Sequence, residues 1–392
     1  MTRFALVLGA LSAAGPLAID MYLPALPAIA RDLHAGQGHA EMSLMSFFIG
    51  LTIGQPIYGP LSDRLGRRRP ILAGLALYIA ASIACSLARS VDVLIVGRGL
   101  QGLGAGAGMA IGAAIVRDIY AGAQAARLLA LRVLVLGVSP ILAPILGAAV
   151  ISVASWRDIF WFAAGFGVLC AVLTFMIPET RPEHARADSR LSGALGVYRR
   201  LLADRTFMGA VLTAACMQAA FIAYIAGSSF VFMTMLGAPP WVYSLIFAVN
   251  AVGFIGCAQF TPQLMRRFRP EQLILFAATV QSCAAVLMLL MALAHHVSLP
   301  LLLPPLFVFL ACYGLVGGPS AVLALRDHGA VAGTAAALMS FMQMASAALG
   351  AALIAFLANG TALPMTGLMV AGAGCGLLAA RHAFTRRVAP AA

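Results

Sequence analysis

Long apolar runs dominate this sequence of 392 residues and decide what it can fold into. Twelve of the runs can cross a bilayer, because its hydrocarbon core needs about 20 apolar residues in a helix. Apolar residues make up 62% of the chain and charged residues only 10%, which leaves no soluble domain of ordinary size. The runs are continuous and rich in Ala, Leu and Gly, unlike the alternating strands of membrane β-barrels. The sequence predicts an all-α integral membrane protein with twelve transmembrane helices.

Two related halves of six helices each are the predicted organisation. The basic end of one connector, RRRP at Arg67–Pro70, is followed 200 residues later by a similar RFRP at Arg267–Pro270. The longest polar stretch falls after the sixth run and divides the chain six and six. We therefore predict a first bundle at 1–177, a cytoplasmic linker at 178–206 and a second bundle at 207–392. The predicted crossings are, in order, 4–28, 41–61, 70–88, 92–116, 128–152, 156–177, 207–236, 241–263, 271–294, 298–322, 331–357 and 361–380.

The net charge of +12 is distributed as a topology signal rather than as a nucleic-acid surface. All 25 basic residues are Arg, and 21 of them fall on the side of the membrane that also holds both termini. Three lie on the other side, and Arg98 lies inside a helix. Because cytoplasmic loops carry the excess of Arg and Lys, we expect both termini in the cytoplasm.

Two ionisable residues fall inside predicted crossings, where charge is costly and therefore indicates function. Asp20 lies in the first crossing and Arg98 in the fourth, both below the outer end of their helices. We expect Asp20 to bind and release a proton, with Arg98 near enough to modulate it. A structural Asp20–Arg98 ion pair, or an Asp20 that only caps a helix end near Pro24, remains an alternative. Pro16 frees the carbonyl of Ser12 and is expected to bend the first helix near Asp20.

A charged connector, GPLSDRLGRRRP at Gly59–Pro70, joins the second and third crossings. Arg residues are common in any cytoplasmic loop, where they anchor it on that side of the membrane. Such anchoring does not require the acid Asp63 that lies among them. We expect Gly59 to allow close helix approach and Gly66 to form a turn. Asp118, in IVRDIY after the fourth crossing, is a second acid that can join the same cluster, and we interpret the cluster as a latch for one conformation.

The connector resembles the signature loop of the major facilitator superfamily, at the matching position after the second of twelve helices. RGLQGLGAGAG from Arg98 resembles the helix 4 motif of its proton-coupled members, and Leu136–Val150 with WRDIF at Trp156–Phe160 resembles the helix 5 motif of its drug exporters. LAIDMYLPALPAIA, at Leu17–Ala30, with AIVRDIY is similar to the bicyclomycin and chloramphenicol resistance branch, Bcr/CflA. The resemblance implies two pseudo-symmetric six-helix bundles and alternating access to a central cavity.

Residue roles follow from this resemblance position by position. It implies a proton-coupling and substrate site at Asp20 and Arg98, and a helix 5 face packed against the second half at Pro140, Pro144 and Gly147. The cytoplasmic gate motif comprises Gly59, Asp63, Arg64, Gly66, Arg67, Arg68 and Asp118. Residues that can line the cavity wall, each with bulk packing as the alternative, are Tyr22, Gln101, Tyr224, Phe230, Asn250 and Gln343.

The predicted function is proton-coupled antiport that exports small amphipathic compounds, including antibiotics, through the inner membrane of a bacterium. An importer or exporter of one specific metabolite is the alternative. We expect the proton gradient to be the energy source, and we expect neither a cofactor nor a metal. The protein is expected to be a monomer in the lipid bilayer without a nucleic-acid partner. A membrane-embedded lipid enzyme would need several acids or histidines at one depth, which the predicted helices lack.

Overall fold

The computed structural model describes residues 2–119, 122–180, 194–328 and 331–384. Fifteen α-helices and no strand occur within these ranges. In chain order they are α1 Thr2–Asp20, α2 Leu26–Asp32, α3 Gln37–Leu65, α4 Arg68–Ser86, α5 Val91–Ile119, α6 Gly122–Val153, α7 Trp156–Phe175, α8 Ala194–Ala203, α9 Arg205–Ser229, α10 Pro240–Leu264, α11 Pro270–Leu293, α12 Leu299–Gly314, α13 Gly317–Leu325, α14 Ala332–Leu357 and α15 Leu363–Phe384.

Membrane-spanning length is reached by 11 segments of the described chain, and a shorter apolar helix, Gly137–Val153, forms the end of α6. The predicted all-α membrane fold is confirmed, and the number of spans is close to the predicted twelve. The linker prediction falls partly on residues 181–193, which lie outside the described ranges. Its described end is the helix α8.

Contacts divide the chain into two compact units. The first contains Met1–Arg190 and Pro239–Ala248, and the second contains Leu191–Ala238 and Val249–Ala392. In the first unit, α5 packs along α3 and α4, and α1 packs along α6. In the second, α9 packs along α15 and α14.

Three crossings that the sequence predicts as continuous are interrupted. The first ends as an α-helix at Asp20 and continues through a short 3₁₀ turn at Leu23–Ala25 before α2. The seventh changes to a π-helix at Phe230–Met235, and the tenth breaks between α12 and α13. Pro24 at the first break cannot donate an intrahelical hydrogen bond, and glycines flank the break after α12. Hydropathy does not detect these breaks, because the interrupting residues are themselves apolar or small.

Small residues set the spacing of the helices around α5. A Cβ added at Gly102 would stand 2.1 Å from the carbonyl oxygen of Phe47 on α3. A Cβ at Gly104 would stand 2.5 Å from the carbonyl oxygen of Gly74 on α4. These distances are far below van der Waals contact, so the glycine-rich run of α5 is a close-packing face.

Asp204 caps the N-terminus of α9. Its Oδ1 accepts hydrogen bonds from the backbone N–H groups of Thr206 at 2.7 Å and Phe207 at 3.0 Å. Partial burial alone would raise the pKa of Asp204. The two N–H donors and His328, whose Nε2 lies 3.2 Å from Oδ2, outweigh that effect and hold the pKa below its usual value. The stabilisation is therefore present above the ordinary carboxyl pKa and is lost as the pH falls through the lowered one.

Replacing Asp204 by Ala is expected to destabilise the protein by about 1 kcal/mol at neutral pH, the usual value of an N-cap. The thermal midpoint of the purified protein in detergent measures this loss. Asp204→Ser keeps a capping oxygen and serves as the control, with a midpoint close to that of the wild type. The difference between Ala and wild type should shrink in acid, and a difference that does not change with pH would contradict the role of the carboxylate.

Candidate functional site

Asp20 is a buried carboxylate at the interruption of the first crossing. It is the last residue of α1, is only 5% exposed, and lies roughly 18 Å from either end of the span Val7–Asp32 at 1.5 Å per residue. Within the described ranges, its carboxylate forms no ion pair and accepts no hydrogen bond from the protein. A carboxylate in this position carries a charge only at high cost, because no described cation forms an ion pair with it.

Arg98 is fully buried and is enclosed by aromatic rings from three other parts of the chain. Its Cζ lies 4.4 Å from the ring centroids of Tyr22 and Phe47, and 5.9 Å from that of Phe160. Nη1 donates to the carbonyl of Ala18 at 3.1 Å. Arg98 therefore contacts the backbone two residues before Asp20, rather than its carboxylate. The structure does not contain the Asp20–Arg98 ion pair that was one alternative.

A chain of buried hydrogen bonds holds the Arg98 guanidinium in place. Nη1 also donates to Oε1 of Gln101 at 2.7 Å, and Nε2 of Gln101 donates to Oγ of Ser82 on α4 at 2.8 Å. Nε and Nη2 of Arg98 have no partner among the described residues. A buried donor without a hydrogen-bond partner is unfavourable, and here the rings of Tyr22 and Phe47 lie against the guanidinium instead.

Tyr22 connects the segment after Asp20 to α3. Its hydroxyl lies 2.5 Å from Oγ of Ser43, which itself donates to the carbonyl of Ala40. A serine hydroxyl has one hydrogen, so Tyr22 is the donor in this pair. Tyr22 and Gln101, both predicted as cavity wall, are fully buried beside Arg98 in this structure.

Glu41 is a second buried acid, which the sequence reading missed. It is 3% exposed on α3; Oε1 accepts from Nε2 of Gln37 at 2.8 Å, and Oε2 has no partner among the described residues. The sequence placed the start of this crossing at residue 41, where an acid is an ordinary boundary residue. The helix begins four residues earlier, at Gln37, so Glu41 lies one turn inside. A boundary error of this size was enough to hide it.

Arg67 is the centre of the charged connector. It is 5% exposed, and it binds Asp118 through Nε to Oδ2 at 2.7 Å and Nη2 to Oδ1 at 3.2 Å. Its Nη1 donates to Asp63 at 2.8 Å and to Ser62 at 2.7 Å. Burial alone would lower the pKa of Arg67, but the two carboxylates raise it, so the guanidinium stays charged. Of the basic residues predicted for the latch, the structure brings Arg67 together with both acids, Asp63 and Asp118.

The other connector residues have different environments. Arg64 is exposed and takes part in no ion pair among the described residues, whereas Arg68 lies 4.5 Å from the ring centroid of Phe175. No atom lies within 4 Å of a Cβ added at Gly59, so the close helix approach expected there is wrong. Gly66 has φ 85°, a left-handed conformation that favours glycine, as the predicted turn requires.

Glu179 completes the connector from a distant part of the sequence. Its carboxylate accepts from the backbone N–H groups of Arg67 at 2.8 Å and Arg68 at 3.1 Å, at the start of α4. A negative group is favourable at a helix N-terminus, where N–H groups lack intrahelical partners. Thr180 donates to Asp118 at 3.1 Å beside it. Sequence reasoning missed Glu179, because a polar stretch after an apolar run gives no signal of what it contacts.

The predicted helix 5 residues lie on α6, within the first unit. The carbonyl of Pro144 accepts a hydrogen bond from Oγ of Ser244 at 2.8 Å, and Pro140 is partly exposed. A Cβ added at Gly147 would stand 2.2 Å from the carbonyl oxygen of Met21. Gly147 therefore allows α6 to approach the backbone directly after Asp20.

Replacing Gly147 by Ala is expected to displace α6 from Met21, because a backbone atom cannot move aside as a side chain can. Overpacking of this kind typically destabilises by about 1–3 kcal/mol. Gly165→Ala on α7 is the matched control, since nothing lies within 4 Å of a Cβ there. Thermal midpoints of the two purified variants test the prediction, which equal midpoints would contradict.

Four predicted cavity residues belong to the second unit. Nδ2 of Asn250 lies 3.4 Å from the hydroxyl oxygen of Tyr224, and both residues are buried. Phe230 begins the π-helix and is partly exposed. Gln343 is partly exposed on α14. Only Tyr224 and Asn250 of this set are hydrogen-bonded to each other.

Residues 8–351 match the profile of the Major Facilitator Superfamily. The chain belongs to this superfamily. It is 33% identical over 324 residues to the uncharacterized MFS-type transporter YdgK of Bacillus subtilis, which covers 82% of this chain and 80% of that protein. It is 31% identical over 300 residues to the multidrug resistance protein MdtL of Escherichia fergusonii, covering 76% and 75% of the two chains. This superfamily member is a multi-pass membrane transporter and not an enzyme.

Solved structures of the superfamily share its fold. A bacterial homologue of the human lysosomal transporter Spinster, inward-facing and unoccupied, has a TM-score of 0.77 at 15% identity, covering 100% of this chain and 99% of that one. The xylose transporter XylE of E. coli, in a partially occluded inward-open conformation, has a TM-score of 0.76 at 12% identity and covers 99% and 98% of the two chains. Identities this low establish the common fold and nothing about the substrate.

Proposed function

We propose that this transporter is a proton-coupled antiporter that exports small amphipathic compounds from the bacterial cytoplasm. The observation that carries the proposal is the environment of Asp20, a buried carboxylate without an ion pair at an interruption in the middle of a membrane span. Membrane transporters commonly place coupling sites near the bilayer midplane at discontinuous helices. A carboxylate there can take up and release a proton as its access changes, which couples proton movement to export of the substrate.

Arg98 supports this role without neutralising Asp20 permanently. Its guanidinium is fixed by Gln101 and the carbonyl of Ala18, so its positive charge stays close to the end of α1. When the acid loses its proton, a cation held nearby lowers the cost of the resulting charge. The ring cage around Arg98 keeps it desolvated, which strengthens that interaction.

Export of several compounds is favoured by the name of the relative MdtL, a multidrug resistance protein. The motifs near Asp20 and Asp118 favour the Bcr/CflA branch within the superfamily. We further propose that both termini face the cytoplasm, as the Arg distribution indicates. The Arg67 network would then be a cytoplasmic latch between transport states, in a monomer that needs no cofactor beyond the proton gradient.

Everted membrane vesicles test coupling and direction in one measurement. Respiration acidifies their interior, and acridine orange reports the pH difference. A compound selected by a susceptibility screen of expressing cells should dissipate the pH difference when added outside, because antiport exchanges it for internal protons. Vesicles without the transporter are the control. A pH difference that the compound leaves unchanged would contradict antiport, and uptake of the compound into intact energised cells would indicate import instead.

A further inference from the structure

Three aromatic rings form a stack within the second unit. None of the residues discussed above is part of this stack. Tyr313 on α12 stacks on Phe221 of α9, with ring centroids 4.6 Å apart and an interplanar angle of 11°. Phe254 of α10 lies 5.4 Å from Tyr313 at 24° and 5.7 Å from Phe221 at 32°. We call these three residues the aromatic stack. Near-parallel rings present flat faces, which is the geometry that accepts another flat ring.

The stack is partly exposed, although it occupies the inner faces of its helices. On α12 the stripe that leads to Tyr313 consists of Leu302, Leu306 and Phe309, all at most 1% exposed. Tyr313 continues this stripe at helical spacing but is only partly buried. Its accessible surface therefore belongs to the interior of the unit and not to the lipid-facing side.

The same pattern holds on α10. Val249 and Val252 are 52% and 57% exposed and mark the side that faces lipid. Phe254 lies on the opposite side, next to the buried Asn250, and is nevertheless partly exposed. Two helices thus leave a ring accessible on the side away from lipid.

The three rings lie near the middle of their membrane-length spans, Arg205–Met235, Pro240–Leu264 and Leu299–Leu325, beside an interruption of the last one. The span Leu299–Leu325 is broken between α12 and α13, directly after Tyr313. Interrupted backbone at this depth is tolerated where it is buried in protein or lines a cavity. A Cβ added at Gly314 would stand 2.2 Å from the carbonyl oxygen of Phe254, so α10 and α12 touch through their backbones. This contact fixes the ring of Tyr313 against that of Phe254.

Gln218 gives the stack a polar edge. Its Oε1 accepts a hydrogen bond from the hydroxyl of Tyr313, and the residue is 9% exposed. A glutamine amide also carries two N–H donors. Among the described residues none of these donors has a protein acceptor, so they are available to a carbonyl or carboxylate group of a ligand.

We propose that the aromatic stack with Gln218 is a binding subsite for flat aromatic compounds that carry a hydrogen-bond acceptor. The inference rests on the proposed transport of small compounds and specifies which of them bind well. The flat part of the compound stacks on the accessible part of these rings, and its acceptor receives an N–H of Gln218. Compounds without an aromatic ring lack the stacking contribution of this subsite.

Binding of norfloxacin, a flat aromatic compound with carbonyl and carboxylate acceptors, tests the proposal. Its own fluorescence anisotropy is measured as purified full-length protein in detergent is added, with no proton gradient. We expect Phe221→Leu and Phe254→Leu each to raise the dissociation constant about 3- to 10-fold, since leucine keeps apolar bulk but removes a stacking face. Phe260→Leu is the matched control, because Phe260 on α10 is 65% exposed and not in the stack.

Two results would overturn the proposal. One is a wild-type protein that does not bind norfloxacin saturably, and the other is a pair of stack variants that bind it as tightly as Phe260→Leu. Thermal midpoints verify that each variant is folded. If one of the two stack variants does not fold, the other still tests the proposal. Binding is measured without a proton gradient, so it tests the subsite even if the coupling proposal is wrong. If the subsite proposal is wrong, coupling through Asp20 is still tested by the transport assays.

Discussion

Asp20→Asn is expected to abolish transport driven by a pH gradient while leaving the protein folded. Asparagine has nearly the shape of aspartate but cannot bind and release a proton. Because Asp20 forms no ion pair among the described residues, the substitution leaves no cation without its partner. The expected rate in proteoliposomes is that of protein-free vesicles, and the thermal midpoint should stay close to that of the wild type.

The control for this variant is exchange of substrate at equal pH on both sides of the membrane. Exchange needs only the binding site and the change of access, so it should persist in Asp20→Asn. Glu41→Gln is the matched substitution of the other acid that is buried among the described residues of the first unit. Gradient-driven transport that is lost in Glu41→Gln but retained in Asp20→Asn would assign the proton to Glu41 and remove Asp20 from the mechanism.

Arg67→Ala is expected to destabilise the protein and to slow transport, since it removes the cation that joins two acids. Asp118 then loses two hydrogen bonds although its side chain is only 18% exposed, and Asp63 loses the hydrogen bond from Nη1 of Arg67. Removing one partner of a buried ion pair typically destabilises a protein by about 3–5 kcal/mol. Because both acids are partly exposed, we expect the loss in Arg67→Ala to be at or below the lower end of this range. Arg67→Lys should recover little, because an ammonium group cannot form the bidentate contact with Asp118.

Arg64→Ala is the matched control, because it removes the same charge from an exposed position three residues earlier. Thermal midpoints and initial rates of gradient-driven transport are measured for both variants. We expect the midpoint and the rate of Arg64→Ala to be close to those of the wild type. Both values should be well below these in Arg67→Ala. If the two alanine variants lose activity equally, the connector contributes general positive charge and the specific network around Arg67 does not matter.

Local sequence predicted the parts of this protein that the bilayer controls. The membrane-length segments were predicted from their own residues, since the cost of placing a side chain in hydrocarbon depends mainly on that side chain. The same reasoning selected Asp20 and Arg98, because charge inside a crossing is expensive wherever its partners are. It failed for Glu41, where an error of four residues in a helix boundary placed a buried acid at the membrane surface.

The sequence by itself determined the helical membrane fold, the family motifs and the two charged residues within the crossings. Only the tertiary structure decided which groups meet. Glu179 reaches the start of α4 across 112 residues of sequence, and the rings around Arg98 come from three separated segments. The aromatic stack likewise joins three helices. Such contacts depend on how closely distant helices approach one another, which is set by backbone contacts at small residues such as Gly104 and Gly314. Local hydropathy carries no information about those approaches.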